Sequence, residues 1–338
     1  MYPMLRDFLV TEDAVFSVIS YVHPEDGFLA LMRYVKDPEG DRIRRPTGER
    51  YRKVSFEESF EILRERHPEY VRKVRGDFYD QVVPPEDVVE HLHPRDRMER
   101  ILEEPRDDLE EMAARAVLEL AEDSGVPESR FGVTGSLLPE LHDPAESDLD
   151  LVVYGVQEFL AVRDAILRIQ ETGEGRDLLR ALDYDQWERV YRRRSPELDF
   201  EEFLRHELRK GNRVVIGDRV CDVLLVRDES ELSDVRWEEF ETVEENVRLV
   251  CEVLDDSLAF DYPARWRVEA VESDTEEGYE VTEVRSYTHT YVGQAFEGEV
   301  IEVSGKLERE RNSGELIAIV GSSREAEGEW IRVLKDQR

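Results

Sequence analysis

Two aspartates lie close together in an otherwise apolar stretch, where a core strand has no use for negative charge. Asp148 and Asp150 occur in the run SDLDLVVYG, and the residues that follow are almost all hydrophobic. Alternate side chains of a β-strand point to the same face, so the two carboxylates should lie side by side, where each raises the cost of ionising the other. A bound divalent cation would offset that cost. The pair therefore predicts a metal site.

A third oxygen donor is expected from a later strand. Asp222 is the lone charge in the apolar run VCDVLLV, and burying it is costly unless something pairs with it. Asp218 is the rival, but it lies in a predicted turn, where Asp is expected for local hydrogen bonding. We therefore expect Asp148, Asp150 and Asp222 to be both the metal ligands and the catalytic residues of a site for two Mg²⁺ ions, which take oxygen ligands.

A phosphate-binding segment precedes these acids. Gly135-Ser136 reads as a helix start, where the glycine would let the backbone approach a phosphate and the serine hydroxyl and helix amides would bind its oxygens. Arg209 and Lys210, just before the second hairpin, are further candidates for nucleotide binding. A phosphate cradle beside a two-metal site is what nucleotidyl transfer requires, because positioning and charge neutralisation supply most of the catalysis.

Three other features have two readings each. Residues 192–194 are three successive arginines, which would contact a triphosphate or polynucleotide, or pair with nearby glutamates on a helix face. His142 would touch the substrate or be an incidental loop residue. Alternation of Arg285, Tyr287, His289 and Tyr291 predicts one face of a strand, which would either bind an oligonucleotide or pack in the core.

In the spacing of these residues, the chain resembles the DNA polymerase β-like nucleotidyltransferase superfamily. The resemblance rests on Gly135-Ser136, then eleven residues, then Asp148-Leu149-Asp150, with Asp222 on a later strand, and it covers about residues 115–228. The whole chain is similar to a group of archaeal predicted nucleotidyltransferases, in SYVHPED, FGVTGS, SDLDLVVYG and SYTHTYVGQAF. The resemblance implies a mixed sheet flanked by helices, and transfer of a nucleoside monophosphate from a nucleoside triphosphate by two Mg²⁺ ions. The acceptor, RNA or another molecule, is not implied. The alternative is a non-catalytic RNA- or nucleotide-binding protein that retains the fold.

Composition narrows the class of protein. The chain has 338 residues, 40% of them hydrophobic, and a net charge of −35. Asp and Glu are spread along the whole chain, which is typical of surfaces that stay soluble in concentrated salt, and which argues against a broad basic face for nucleic acid. The two cysteines, Cys221 and Cys251, favour buried free thiols in a reducing cytoplasm. No apolar run approaches the roughly 18 residues of a membrane span, so a cytoplasmic protein without a membrane partner is expected.

The elements that position these residues follow from hydrophobic patterning. Residues 14–36 predict a hairpin, Asp107–Ser124 predicts a helix capped by Gly125, and residues 212–226 predict a hairpin with its turn at Gly217-Asp218. Residues 237–254 read as a helix by length, with a break near Val243. The expected fold class is α+β, in three domains: an N-terminal α+β region (1–106), a nucleotidyltransferase domain with a mixed sheet flanked by helices (107–256), and a small antiparallel β-barrel or sandwich (257–338).

Overall fold

The computed structural model describes residues 2–76, 78–173, 175–321 and 327–334. The chain folds into two compact units. The first unit consists of Met1–Arg72, Tyr79–Leu182 and Gly211–Trp237; the second consists of Lys73–Phe78, Asp183–Lys210 and Glu238–Arg338. This grouping differs from the three expected domains, because the predicted boundary at residue 106 falls inside the first unit and residues 183–210 group with the C-terminal strands.

The first unit contains thirteen of the described strands and four of the described helices. The strands are β1 Phe8–Val10, β2 Ala14–Val18, β3 Phe28–Lys36, β4 Arg42–Ile43, β5 Arg50–Lys53, β6 Val71–Arg72, β7 Asp80–Val83, β8 Glu90–Leu92, β9 Phe131–Val133, β10 Leu149–Tyr154, β11 Leu179–Arg180, β12 Arg213–Ile216 and β13 Arg219–Val226. The helices are α1 Phe56–Arg66, α2 Pro94–Glu103, α3 Asp108–Ser124 and α4 Val156–Thr172.

The N-terminal strands form one sheet in the order β4-β5-β3-β2-β1-β8, with β7 pairing with β3 and β6. The predicted hairpin is confirmed, since β2 and β3 pair antiparallel. Helix α1 begins after Ser55, whose side chain forms a capping box with Glu58, and its buried Ile62 and Leu63 pack on one face of this sheet. The opposite face packs on Leu138 and Leu141, which follow the Gly-Ser segment in the chain.

The predicted metal ligands lie in the second sheet of this unit, whose order is β11-β12-β13-β10-β9. Strands β10 and β13 are parallel neighbours, while the β12–β13 hairpin turns at Gly217-Asp218 as predicted. Helix α4 follows β10 directly and packs on β10, β12 and β13, and α3 packs on α4. The predicted helix at 107–124 is confirmed: Asp107 caps its first turn and Gly125 ends it in the left-handed conformation.

The second unit contains helices α5 Tyr184–Arg194 and α6 Phe200–Lys210 and a β-barrel. Its strands are β14 Phe240–Leu258, β15 Ala264–Ser273, β16 Val281–Ser286, β17 Val300–Glu310, β18 Leu316–Val320 and β19 Trp330–Val333. They pair in the order β14-β15-β16-β18-β17-β19, and pairing of β14 with β17 closes a ring of five strands. The barrel is not wholly antiparallel, because β16 and β18 run parallel. The chain is thus of mixed α+β class.

Residues 237–254 were expected to form a helix, and this prediction is wrong. They contribute most of β14, a strand of 19 residues. Along it, Val247, Leu249, Cys251 and Val253 are buried at every second position, which is the period of a strand with one buried face. Length had favoured a helix, but the alternation from Val247 onward decided the structure.

The proposed oligonucleotide-binding face at 285–291 is also absent, because the strand ends at Ser286. Arg285 is buried and donates two hydrogen bonds to Glu238, at 2.6 and 3.0 Å. Tyr291 is buried and donates to the carbonyl of Glu329, while Tyr287 is half-buried. These contacts support the alternative reading, in which this segment packs in the core.

Cys221 and Cys251 are buried free thiols, as expected. Among the described residues, no helix has both the length and the apolar character needed to cross a membrane.

Candidate functional site

Two of the three predicted metal ligands lie next to each other across a parallel strand pair. Asp150 of β10 and Asp222 of β13 are register partners. Partners in a sheet project from the same face, on strands about 4.8 Å apart, so their carboxylates lie side by side. Asp222 is only 9% exposed and Asp150 is half-buried, which makes the cost of two adjacent negative charges substantial.

Asp148, the third acid, lies two residues before Asp150, immediately N-terminal to β10, and is half-buried. The charges of all three acids affect the pKa of the Cys221 thiol. The pKa of its thiol is raised well above the ordinary value, first by complete burial and then by the charges of Asp222, Asp150 and Asp148. The negative potential of the three carboxylates is therefore felt at one point of the sheet.

Gly135 contacts the carboxylate of Asp150. Gly135 follows β9 closely in the chain. The preceding residue, Thr134, donates a backbone hydrogen bond from its amide to the Asp150 carbonyl of β10, at 2.9 Å. Gly135 has a φ of +62°, and a Cβ atom built on it would overlap Asp150 Oδ2. A side chain at position 135 would therefore displace the carboxylate as well as strain the backbone.

Replacement of Gly135 should separate these two effects. We expect Gly135→Ala to weaken binding of Mn²⁺, a spectroscopic substitute for Mg²⁺, by about tenfold or more, as outer-shell changes at metal sites do. Gly125→Ala is the matched control: Gly125 has a φ of +74° and nothing within 4 Å of its Cβ position. Both variants should lose about 1–2 kcal/mol of stability to left-handed strain. Equal Mn²⁺ affinity of the two variants, measured by electron paramagnetic resonance titration, would contradict the role of Gly135.

The segment after Gly135 does not begin a helix, contrary to expectation. Residues 135–140 form successive turns, with the Leu141 amide donating to the Ser136 carbonyl at 3.0 Å. Pro139 lacks an amide hydrogen for a continuing helix, and Leu138 packs against the N-terminal sheet instead. Ser136 is half-buried beside Gly135, so its hydroxyl and the turn's backbone are the groups that would contact an anion, without a helix dipole.

Arg213 is a residue that the sequence analysis missed. It is the register partner of Asp222 within the hairpin, is 4% exposed, and its Nε donates to Asp222 Oδ1. The guanidinium offsets part of the negative charge of the three acids. The signal was present in the sequence, because pairing outward from the Gly217-Asp218 turn places position 213 opposite 222.

Arg209 and Lys210, predicted to bind nucleotide, end helix α6 of the second unit. Lys210 is 1% exposed; its Nζ donates to Glu207 at 2.5 Å and to the Thr290 carbonyl at 2.6 Å. These contacts give the Lys210 ammonium buried protein partners, so a structural role competes with the predicted nucleotide binding. Arg209 donates to Glu299 at 2.6 Å and lies over the ring of Phe296.

The remaining candidates also have local partners. Arg192 donates to Glu188 one helical turn away at 2.7 Å, which supports the ion-pair reading of the arginine run. Asp218 is an exposed turn residue that pairs with Arg219.

A second cluster of potential ligands was not foreseen. Asp107, Glu110 and His142 bring their side chains together, and His142 Nε2 lies 2.9 Å from Asp107. Three arginines also converge on the two carboxylates: Arg45 on Asp107, and Arg45, Arg97 and Arg106 on Glu110. The cluster is therefore a buried ion-pair network whose negative charge is balanced by guanidinium groups, which leaves little attraction for a metal cation. His142 belongs to it rather than to a substrate site.

The network should show a specific acid dependence. Burial alone would raise the pKa of Asp107, but hydrogen bonds from the Glu110 amide, His142 and Arg45 outweigh it and lower that pKa to about 2. Because the folded pKa is depressed, the stabilisation is complete above the unfolded value near 3.9 and is lost as pH falls toward 2.

We expect Asp107→Asn, which retains an N-cap side chain, to lower the free energy of unfolding by about 1–3 kcal/mol at pH 7. The difference from the wild type should shrink as the pH falls below 4. Urea unfolding at pH 7, 5 and 3 measures it, and a difference that stays constant with pH would contradict the assignment.

Comparison with known proteins identifies one relative. No family model matches the chain, and no solved structure matches it. The chain is 33% identical to Uncharacterized protein MJ1086 of Methanocaldococcus jannaschii over 354 aligned positions, which cover 97% of this chain and 98% of the relative. This similarity extends through both compact units. The chain therefore belongs to the same family as that archaeal protein.

Proposed function

We propose that the protein is a Mg²⁺-dependent nucleotidyltransferase, which transfers a nucleoside monophosphate from a nucleoside triphosphate to an acceptor. The observation that carries the proposal is the register pairing of Asp150 with Asp222, beside a glycine that touches Asp150. Adjacent, poorly exposed carboxylates attract a divalent cation in addition to the Arg213 guanidinium, and the glycine keeps the neighbouring backbone open to a phosphate.

The donor set fits magnesium. Asp148, Asp150 and Asp222 offer only oxygen atoms, which suits a hard cation and is unsuited to a structural zinc site with sulfur or nitrogen ligands. When bound, two Mg²⁺ ions would neutralise the phosphate charge and polarise the reacting phosphoryl group. Arg213 would hold the Asp222 carboxylate in orientation through its hydrogen bond. Ser136 and the turn at Gly135 would bind phosphate oxygens.

A non-catalytic nucleotide-binding function is the second candidate, and the Arg213–Asp222 ion pair favours it. This buried pair satisfies one oxygen of Asp222 without a metal, so the fold does not require one there. A protein with this arrangement would bind nucleotide but would not turn it over.

Two measurements separate the catalytic function from the non-catalytic one. The first is a thermal-shift series with each of the four nucleoside triphosphates, with and without Mg²⁺. The second is incubation with α-³²P-labelled triphosphates, with total RNA or the protein itself as acceptor. The proposal predicts Mg²⁺-dependent stabilisation and label transfer that EDTA abolishes. Stabilisation without transfer to these or small-molecule acceptors supports the non-catalytic function. Neither stabilisation nor transfer would overturn both.

A further inference from the structure

Arg219 holds the loop that leads into Asp148, which consists of residues 143–147. It is half-buried and is the first residue of β13, the strand that carries another of the three acids. Its Nη2 donates hydrogen bonds to two successive carbonyls of the loop, that of Pro144 at 3.3 Å and that of Ala145. The strand of one acid is thereby tied to the loop that precedes a second one.

Asp148 lies where the regular pairing of the sheet ends. The parallel pairing of β10 with β13 begins at Leu149, so it stops one residue short of Asp148. The backbone at Asp148 therefore continues the loop. Within the loop, the amides of Glu146 and Ser147 donate to the carbonyl of Asp143, at 3.2 and 2.9 Å, which folds the loop onto itself. The guanidinium contact attaches this folded loop to β13.

The charge of Arg219 and its hydrogen bonds act on metal binding in opposite directions. A cation at the start of β13 repels a metal ion held by the acids of the same sheet, so removing the charge alone would favour the metal. The hydrogen bonds hold the backbone from which Asp148 extends, and a metal site needs its ligands within about 0.5 Å of the required geometry. Arg219 Nε also lies 3.2 Å from Asp218, whose exposed carboxylate contributes little.

We propose that Arg219 is a positioning residue of the metal site, which places Asp148 by holding the loop before it. Arg219 thus supports Asp148 through the backbone, whereas Arg213 supports Asp222 by a direct hydrogen bond. This inference rests on the proposed function, because the three acids are taken as the ligands of Mg²⁺. Groups that orient metal ligands in this way change metal affinity by about 10- to 100-fold when they are removed.

The test measures Mn²⁺ binding to the full-length protein without nucleotide, by electron paramagnetic resonance titration. Arg219→Ala should weaken Mn²⁺ binding by about tenfold. Arg219→Lys should recover part of the loss, because an ammonium also donates to carbonyls. Arg309→Ala is the matched control: Arg309 Nη1 donates to the carbonyl of Gly314 at 3.2 Å, in the β17–β18 hairpin of the second unit. It removes the same group and a contact of the same kind, and should keep wild-type Mn²⁺ affinity.

A double-mutant cycle with Asp148→Asn shows whether Arg219 acts through that acid. In the Asp148→Asn background, Arg219→Ala should change Mn²⁺ affinity by less than about twofold, because the ligand that it positions has already been altered. An equal loss in both backgrounds overturns the inference. Circular dichroism in EDTA should show that Arg219→Ala and Arg309→Ala are both folded. An Arg219→Ala protein that is unfolded without metal also overturns the inference, since its role would then be structural.

The outcomes distinguish this inference from the proposed function. Unchanged or tighter Mn²⁺ binding by Arg219→Ala overturns the inference, and tighter binding is what loss of the charge alone would give. If Arg219→Ala loses Mn²⁺ affinity as expected but no nucleoside triphosphate supports transfer by the wild type, the positioning role stands and the catalytic proposal fails. If the wild type transfers label but binds no Mn²⁺ without nucleotide, the catalytic proposal stands and this inference fails.

Discussion

If the proposed nucleotidyl transfer is the activity of this protein, Asp150→Asn should abolish it while leaving the protein folded. Asp150 is one of a pair of adjacent carboxylates, and its neutral isostere removes the charge of a proposed metal ligand without changing the side-chain volume. Loss of metal-assisted phosphoryl transfer is expected to lower the rate by on the order of 10³-fold, since a metal ion contributes several kcal/mol of transition-state stabilisation. The free energy of unfolding should stay constant or rise in the absence of metal, because repulsion between Asp150 and Asp222 is relieved.

Asp218→Asn provides the matched control. It is the same substitution on a neighbouring segment, but Asp218 is an exposed turn residue that pairs only locally among the contacts described above. Transfer by this variant should match the wild type, and Mn²⁺ affinity should fall only in Asp150→Asn. Full activity of Asp150→Asn in an assay where the wild type is active would rule out the two-metal mechanism.

Lys210→Met should destabilise the protein by about 3–5 kcal/mol. It leaves the Glu207 carboxylate, which is 4% exposed, without its ammonium partner, and removing one member of a buried ion pair carries a cost of that size. Urea unfolding monitored by near-ultraviolet circular dichroism would measure the loss. A stable variant with lost nucleotide binding would instead favour the original prediction that Lys210 binds nucleotide.

The double variant Lys210→Met/Glu207→Gln makes this test sharper. Removing both charges avoids a buried carboxylate that has lost its ammonium, so most of the lost stability should return. Nucleotide affinity of the double variant should then equal that of the wild type. A double variant that is stable but fails to bind nucleotide would show that the Lys210 charge acts on the ligand.

The elements near the candidate site were largely predictable from local patterning, whereas charge partners were not. Alternation predicts Asp148 and Asp150 at a strand, and Asp222 is distinguished as the only charge in its apolar run. The burial of Lys210 was not foreseen, since a basic residue at a helix end gives no indication whether it is buried. The parallel pairing that brings Asp150 beside Asp222 is a long-range contact, and no local pattern specifies its register.

A β-bulge in the N-terminal sheet illustrates a different limit: Val15 of β2 pairs with Tyr34 and Phe16 pairs with Met32, so Arg33 is an extra residue in β3. A strand pattern predicts which residues share a face only while the alternation is regular, and the bulge opposite Val15 shifts it by one residue. The prediction of a helix at residues 237–254 is wrong although the alternation is regular there. The alternation at Val247–Val253 indicates a strand, whereas the length of the segment favours a helix. The bulge and the failed helix prediction both concern the period of the chain and not its composition.

Each compact unit is built from separate stretches of the chain, which affects how the chain folds during its synthesis. Strand β10 emerges from the ribosome well before β13, and between them the chain contributes α5 and α6 to the second unit, whose barrel strands are translated last. Strand β10 therefore has β9 as an early partner, but Asp150 meets Asp222 of β13 only when most of the first unit has been made, and α5–α6 await strands that appear later still. The first unit can close once residue 237 has been made, with α5 and α6 left outside it, whereas the second unit closes only when its barrel strands follow, so the two units close in sequence and each needs long-range pairing. A nascent chain arrested before residue 219 would carry two of the three acids but not the strand that gathers them.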